Sequence, residues 1–291
     1  RKVISQEAGM VYKNEKFLNY LKKISSIIFS KHQINRLSSP LGWPETVATI
    51  TNENLKDFHN KNYVKENFSI FLVGALNKTT VDNLEKLLKD LPTGQKSTVN
   101  YGSIEKPLEP RSVVRSDAIG DPSEQLEYNI QRILPKIEKD YVSSQTKALL
   151  YDVLFERLRT DLSLCYGVRV NLHNTKDYAI GSIGIMTNED KLELVETEMW
   201  KIINEIIDGK WEDRFNIVHK TYIEQIRARE RTSDDVLSRI VRELRNDGKI
   251  TTLAKDLEDA SSVTHQDVTQ LLKEVFNPEM VFIEIVLPAK K

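Results

Sequence analysis

Two stretches of this 291-residue chain follow the same pattern, and this repetition constrains the fold more than any other feature. In each stretch an aliphatic residue and a threonine open a helical pattern of apolar residues, and a strand-like run follows. The first stretch extends from Ile50 to Val73 and the second from Val263 to Leu287. Threonine is a common helix cap, and short apolar runs are typical of strands. We therefore expect two copies of one unit, the first copy lacking its front half.

The rest of the chain adds further strands and amphipathic helices. Apolar runs predict strands at 68–73, 126–130, 164–172, 179–186 and 281–287. Helical spacing predicts helices at 6–28, 51–63, 79–88, 143–159, 188–206, 211–231, 234–245 and 265–275. This order predicts an α+β fold with two related α/β sandwich units, of which the first is incomplete at its N-terminal side.

A change of composition between the two units predicts a domain boundary. Prolines 92, 107, 110 and 122 fall close together, with several glycines and serines and few apolar clusters. Such segments connect domains. We therefore assign residues 1–95 to the C-terminal part of a first domain, 96–123 to a linker with a short strand at 112–115, and 124–291 to a second domain.

Composition excludes several classes of function. The net charge is −1 and no basic block stands out, which argues against nucleic acid as a partner. No apolar run approaches ~18 residues, so we expect no membrane-spanning segment. The one cysteine, Cys165, excludes a disulfide framework, and a buried, inert thiol is the expectation for it.

No local motif supplies a catalytic metal or nucleophile. A zinc peptidase motif places two histidines one helical turn apart beside a carboxylate, but the five histidines are widely spaced at His32, His59, His173, His219 and His265. The patterns H-x-x-E-H, H-E-x-x-H and G-x-S-x-G and a phosphate-binding loop are all absent. Ligands brought together only by folding remain an alternative. We predict that this chain is inactive by itself.

One pair of residues is a candidate for substrate binding. Arg159 ends the predicted helix 143–159, and Tyr166 follows seven residues later in the next predicted strand. An arginine offers fixed donors to a carbonyl or carboxylate, and a tyrosine hydroxyl can stabilise an oxyanion. The alternative is a helix-end arginine beside a half-buried tyrosine. The small residues at 181–184 would also let a peptide approach that strand.

Several stretches, taken in order, resemble the pitrilysin/insulinase family of zinc metallopeptidases. They are Leu41–Val47 (LGWPETV), Ile50-Thr51, Asn67–Gly74 and Phe155–Val168 (FERLRTDLSLCYGV), followed by Asp267-Val268 and the closing strand. The opening RKVISQE is similar to the family helix that follows the zinc motif. The resemblance covers nearly the whole chain and implies the metallopeptidase LuxS/MPP-like sandwich for both units.

The resemblance also implies an activity and a site. Arg159 and Tyr166 match the family residues that reach the substrate at the zinc, and Glu7 matches the third zinc ligand; an ordinary exposed helix glutamate is the alternative for Glu7. The implied cofactor is zinc. The H-x-x-E-H segment is absent, so either the chain is the downstream part of an active zinc endopeptidase, or it belongs to a member with an incomplete zinc site.

These alternatives predict different roles for one peptide-binding chain. In the first, the chain supplies Arg159 and Tyr166 to a zinc site completed by an N-terminal segment or a partner subunit. In the second, it is a non-catalytic peptide-binding subunit or scaffold that accompanies an active zinc peptidase. Both imply a peptide or unfolded polypeptide as ligand. We expect a homo- or heterodimer, because an incomplete first domain exposes sheet edge and core.

Overall fold

The computed structural model of the protein describes residues 3–4, 6–7, 42, 44–98, 112–117, 125–175 and 178–287. The α-helices among them are α1 Pro44–Thr49, α2 Asn52–Asn62, α3 Lys78–Lys89, α4 Asp140–Leu154, α5 Leu192–Ile207, α6 Glu212–Arg227, α7 Ser233–Asp247, α8 Leu253–Ser261 and α9 His265–Val275. Short 3-10 helices cover Lys65–Asn67 and Glu189–Lys191, and a π-helix covers Phe155–Asp161. Most of the helix predicted at 6–28 lies outside the described residues.

Five strands form one sheet in the order β1-β5-β2-β4-β3. They are β1 Ser112–Asp117, β2 Leu126–Pro135, β3 Gly167–Asn174, β4 Tyr178–Thr187 and β5 Phe282–Leu287. β1 pairs with β5 in parallel, and the other pairs are antiparallel. The short strand predicted at 112–115 is present as β1. The segment predicted as a linker therefore contributes the strand at one end of this sheet, as far as the described residues show.

One face of the sheet is buried under helices. Alternate strand residues such as Tyr128, Ile130 and Ile183 have no exposed surface, since successive side chains in a strand point to opposite faces. Helix α4 packs on β3, and α9 packs on α4 and α5. Their apolar faces bury Leu149, Leu150, Val153 and Leu154 of α4 and Val268, Leu272 and Val275 of α9. Burial of this shared apolar surface is the main stabilising contribution to the unit.

The glycines of β4 serve packing within the sheet. A Cβ atom on Gly181 would lie 2.3 Å from Cγ1 of Val275, so glycine lets α9 approach the strand. A Cβ atom on Gly184 would lie 2.8 Å from Oδ1 of Asn129 on the neighbouring strand. β4 is hydrogen-bonded to β2 on one side and to β3 on the other. The expectation that peptide approaches the backbone at 181–184 is therefore wrong, because both edges of that strand are occupied.

The range 44–98 contains helices and extended chain. The strand predicted at 68–73 is wrong: these residues belong to no strand, and Phe68, Ile70 and Leu72 are exposed by 42%, 44% and 44%. A strand exists only when a neighbour accepts its hydrogen bonds, and 44–98 provides no such neighbour. Helix α3 begins at Lys78, one residue before the predicted start at 79, and its cap is Asn77, whose side chain accepts a hydrogen bond from the Thr80 amide.

The described residues thus combine helices with one mostly antiparallel sheet, in agreement with the α+β prediction. The finer description as two LuxS/MPP-like sandwich units stays a prediction, as do the domain limits. None of the helices in the described part of the chain is both long enough and apolar enough to cross a membrane.

Candidate functional site

A π-helix followed by a tight turn carries the predicted pair. Helix α4 runs directly into the π-helix Phe155–Asp161, where the amide of Leu162 donates to the carbonyl of Arg157 at 3.0 Å. The predicted helix 143–159 therefore changes its winding before it reaches Arg159. Ser163 then adopts a left-handed backbone with φ of 51°, which costs a non-glycine residue roughly 1 kcal/mol. π-helices are rare in proteins, and those that occur are often found at functional sites.

Hydrogen bonds from the end of β4 hold this turn in place. The Nζ of Lys191 donates to the carbonyl of Ser163 at 2.9 Å, and the buried Oγ1 of Thr187 donates to the carbonyl of Leu164 at 2.6 Å. The amide of Tyr166 donates to the carbonyl of Met186 at 2.8 Å. These contacts compensate the backbone strain and fix the position of Tyr166 relative to the sheet.

Arg159 and Tyr166 meet at one surface pocket of about 260 Å³, lined by Arg159, Ser163, Leu164, Cys165, Tyr166 and Lys191. The guanidinium of Arg159 donates to the backbone carbonyl of Tyr166 and lies 5.2 Å from the ring centre of Phe155. Tyr166 is 53% exposed, so about half of its surface is open to solvent. The structure therefore brings the two predicted residues together. The segment 164–166 is a turn, because β3 begins only at Gly167.

The walls of the pocket are cationic. Arg159 and Lys191 form no ion pair with any carboxylate of the described residues. Cys165 is buried, as predicted, and burial raises the pKa of its thiol; the nearby charge of Arg159 only partly opposes this effect. A thiol whose pKa is raised stays protonated and is a poor nucleophile at neutral pH. The pocket therefore offers hydrogen-bond donors and positive charge.

A metal site does not form among the described residues. Glu7 is helical and exposed, and it is not one of the six residues that line the pocket. The described part of the chain contains no group of three or more His, Cys, Asp or Glu side chains that could hold a metal ion. Zinc in proteins takes three or four protein ligands. The carboxylate of Glu7 is a suitable ligand type, but alone it is not a zinc site.

Sequence reasoning overlooked Lys191 and Thr187. Thr187 is the last residue of β4, and Lys191 follows four residues later. The end of β4 lies opposite the beginning of β3, since Met186 pairs with Gly167. Antiparallel pairing of the two predicted strands places the residues just after 186 beside those just before 167. That pairing was available from the sequence and would have pointed to Lys191 as a neighbour of Tyr166.

The fold and the pocket together define a helix-covered, mostly antiparallel domain with a cationic surface pocket. Residues 49–215, more than half of the chain, match the family described as peptidase M16 inactive domain. The chain belongs to this family. The pitrilysin-type resemblance inferred from the sequence is thereby confirmed. No curated protein sequence matches the chain significantly.

Solved structures of M16-type proteins share the fold. A peptidase M16 inactive domain from Pseudomonas fluorescens is 16% identical, with a TM-score of 0.74 over 93% of this chain and 66% of that chain. A protease from Helicobacter pylori is 15% identical, with a TM-score of 0.78 over 99% of this chain and 70% of that chain. A mutant of the ferredoxin protease FusC, in complex with Arabidopsis ferredoxin, is 14% identical, with a TM-score of 0.69 over 94% of this chain and 30% of that chain.

The TM-scores of 0.69 to 0.78 show a common fold, whereas sequence identities of 14% to 16% leave the activity open. The chain spans 66% of the Pseudomonas protein and 30% of the ferredoxin protease.

Proposed function

We propose that this chain is the part of a zinc-dependent endopeptidase that binds extended polypeptide, with Arg159 and Tyr166 contacting the substrate beside a zinc site. The observation that carries the proposal is that Arg159 and Tyr166 line one open pocket and are joined by a hydrogen bond from the Arg159 guanidinium to the Tyr166 carbonyl. Membership of the M16 family supports the same reaction class. The chain by itself is expected to have no peptidase activity.

The chemistry of the pair suits an amide substrate. A guanidinium has five N–H donors, and the bond from Arg159 to the Tyr166 carbonyl uses only part of that capacity. The remaining donors can hold a substrate carbonyl. A tyrosine hydroxyl donates to the oxygen that becomes negative when an amide is attacked, and such donors contribute most in the transition state.

An edge strand next to the pocket supports binding of extended polypeptide. Strand β3 begins one residue after Tyr166 and is the last strand of the sheet in the described part of the chain. Its side chains alternate, with Val168 and Val170 buried and Arg169 and Asn171 exposed. Extended peptides bind sheet edges by adding a strand, with main-chain hydrogen bonds giving affinity. A segment added to β3 leads directly to Tyr166.

Most of the zinc ligands in this proposal are residues outside the described part of the chain. The described side chains do not form a metal site, so the two histidines and the general base would come from an N-terminal segment or from a partner subunit. Glu7 is the proposed third ligand. A bound zinc supplies Lewis-acid activation of water and of the carbonyl. The two residues of this chain bind and orient the peptide at that site.

The test is turnover of fluorescently labelled, unfolded casein by the intact zinc-loaded protein. Removal of one oxyanion donor typically lowers kcat by roughly 100-fold, and we expect this loss for Tyr166→Phe and for Arg159→Ala. Arg157→Ala is the matched control, since Arg157 lies on the same π-helix and pairs with Asp161 at 3.1 Å. Turnover that is unchanged in both Tyr166→Phe and Arg159→Ala contradicts the assignment.

A second candidate is a non-catalytic peptide-binding subunit or scaffold. The observation that favours it is the match to a domain described as inactive, together with the lack of a metal-binding group among the described residues. Zinc removal by a chelator distinguishes the two. An enzyme loses turnover completely, whereas a scaffold binds labelled casein equally well before and after chelation and has no turnover of its own to lose.

A protein partner is part of either candidate. The ferredoxin protease of the same fold was solved in complex with Arabidopsis ferredoxin. We propose that this chain likewise engages polypeptide substrates and assembles as a homo- or heterodimer. Sedimentation of the intact protein gives its stoichiometry directly.

A further inference from the structure

The pocket beside Tyr166 holds two cations whose charge is not balanced within the described residues. Most arginines described elsewhere in the chain pair with carboxylates, as in Arg157–Asp161, Arg169–Glu127, Arg214–Glu156, Arg229–Asp256 and Arg239–Glu243. Within the described part of the chain, Arg159 and Lys191 line one cleft without such a partner, and none of the six described residues that line it is acidic. An unbalanced pair of like charges in one cleft is relieved by a bound anion.

Lys191 is placed to meet that anion. It ends the short helix Glu189–Lys191, and its Nζ donates to the carbonyl of Ser163 at 2.9 Å. An ammonium group has three donors, so this single bond leaves capacity for a second acceptor. The Ser163 carbonyl also fixes the direction from which the ammonium enters the pocket. A partly fixed cation loses less side-chain entropy when it binds.

We infer that Lys191 selects a carboxylate in the bound polypeptide, which lies between Lys191 and Arg159 while Tyr166 contacts the neighbouring main chain. The inference rests on the proposed peptide-binding function and states which peptides the pocket prefers. An acidic side chain and a free chain terminus present the same carboxylate. A cationic substrate residue is repelled at this position, because two positive charges already line it.

The experiment uses four synthetic ten-residue peptides with an acetylated N-terminus and a neutral BODIPY label, which carries no carboxylate. All share one sequence of alanine, serine and tyrosine; the central residue is Glu or Gln, and the C-terminus is free or amidated. Fluorescence anisotropy measures their Kd for the full chain. We expect the peptides that carry a carboxylate to bind about fivefold tighter at low salt, since charge-assisted hydrogen bonds are the stronger ones. High salt screens most of this preference.

Variants of Lys191 separate charge selection from support of the turn. Lys191→Arg keeps the preference for a carboxylate. Lys191→Met abolishes the preference for a carboxylate, whatever its effect on the affinity for the peptide without one. Lys191→Gln keeps a donor for the Ser163 carbonyl without the charge, and it also loses the preference. Lys201→Met is the matched control, because Lys201 lies on α5 and pairs with Glu198 instead of lining the pocket.

Each outcome decides between distinct conclusions. Equal binding of all four peptides overturns the carboxylate selection and leaves peptide binding intact. Binding of none overturns both the selection and the proposed function. If Lys191→Met weakens every peptide by the same factor, Lys191 only supports the turn and the inference is wrong. If the peptides with Glu bind more tightly than those with Gln, the site binds an acidic side chain. If the peptides with a free C-terminus bind more tightly than the amidated ones, the site binds the end of a chain.

Discussion

Residues 44–98 and residues 125–287 start from similar sequence patterns and differ in what they bury. In the first range Val64 is the one buried hydrophobic residue of the core, whereas the second range contains a continuous cluster that links sheet and helices. The predicted strand at 68–73 is not formed, and its counterpart β5 pairs with β1 and β2. The difference shows that a strand-like sequence becomes a strand only when neighbouring strands are present.

The helices of the two regions begin in the same way. Thr51 caps α2 in a capping box with Asn54, and Thr264 caps α9 in a capping box with Asp267. Helix α2 buries none of its residues, but α9 buries four along one face. Capping uses contacts within four residues of the chain, so it forms in both regions. Burial requires partners from distant sequence, and only the second region provides them among the described residues.

Truncation of one leucine in each region gives the largest expected contrast. Leu150 in α4 is 0% exposed and Leu87 in α3 is 70% exposed. Leu150→Ala removes buried methyl groups and leaves a cavity, so we expect a loss of about 2–5 kcal/mol in the free energy of unfolding. Leu87→Ala is expected to change it by less than about 0.5 kcal/mol. Urea denaturation of both variants measures the contrast; equal losses would show that Leu87 is buried in solution.

Removal of the helix caps gives a smaller contrast of a different kind. Thr264→Ala and Thr51→Ala each remove a side-chain acceptor at a helix start, which typically costs about 1 kcal/mol. Because α9 is locked into the core, we expect Thr264→Ala to lower the global stability. We expect Thr51→Ala to lower only the hydrogen-exchange protection of α2. A shift of the urea midpoint in Thr51→Ala as large as that in Thr264→Ala contradicts this division.

The smallest effect concerns the pH dependence of the two capping boxes. Hydrogen bonds from the Thr264 side chain and amide lower the pKa of Asp267 below its ordinary value of 3.8. A lowered pKa in the folded state means that the carboxylate stabilises the fold above pH 3.8, and that this stability is lost as the pH falls through the folded-state pKa. Asn54 holds the equivalent place in the first region and does not titrate.

Asp267→Asn gives the second capping box the chemistry of the first. We expect a cost of roughly 0.5 kcal/mol at pH 7, because the charge at the helix start and the contact with Lys139 are lost. The cost should disappear at a pH well below 3.8, where Asp267 is protonated. This stability cost is measured by comparing the urea midpoints of the variant and the unmodified chain at several pH values from 7 to well below 3.8. A difference that is constant with pH would exclude a role for the charge.

The sequence predicted most elements of the second region. The strands at 126–130 and 281–287, the helices α5, α6 and α7 and the capping box at Thr264 all occur, with shifted ends. Helix α8 was overlooked, although Thr252 caps it, because its nine residues carry only a short apolar pattern. Local periodicity and caps are properties of adjacent residues, so a single sequence contains them.

The site was predictable only in part. Arg159 and Tyr166 were selected by their chemistry and position, the family resemblance strengthened that choice, and both residues line one pocket in the structure. Their assignment to substrate binding, and that of Glu7 to zinc, stay predictions that the experiments above test. The π-helix and the left-handed Ser163 that bring the pair together were not visible in the sequence, since an α-helix has the same apolar pattern over those few residues.

The sequence by itself determined the family, the helices with their caps, and which residue types are available for chemistry. The tertiary structure decided which strand-like runs pair, that β4 is an interior strand, and that Lys191 comes to the side of Tyr166. The reason is physical. Caps and amphipathic faces depend on residues a few positions apart, whereas strand pairing and the pocket depend on contacts between segments that only the folded chain brings together.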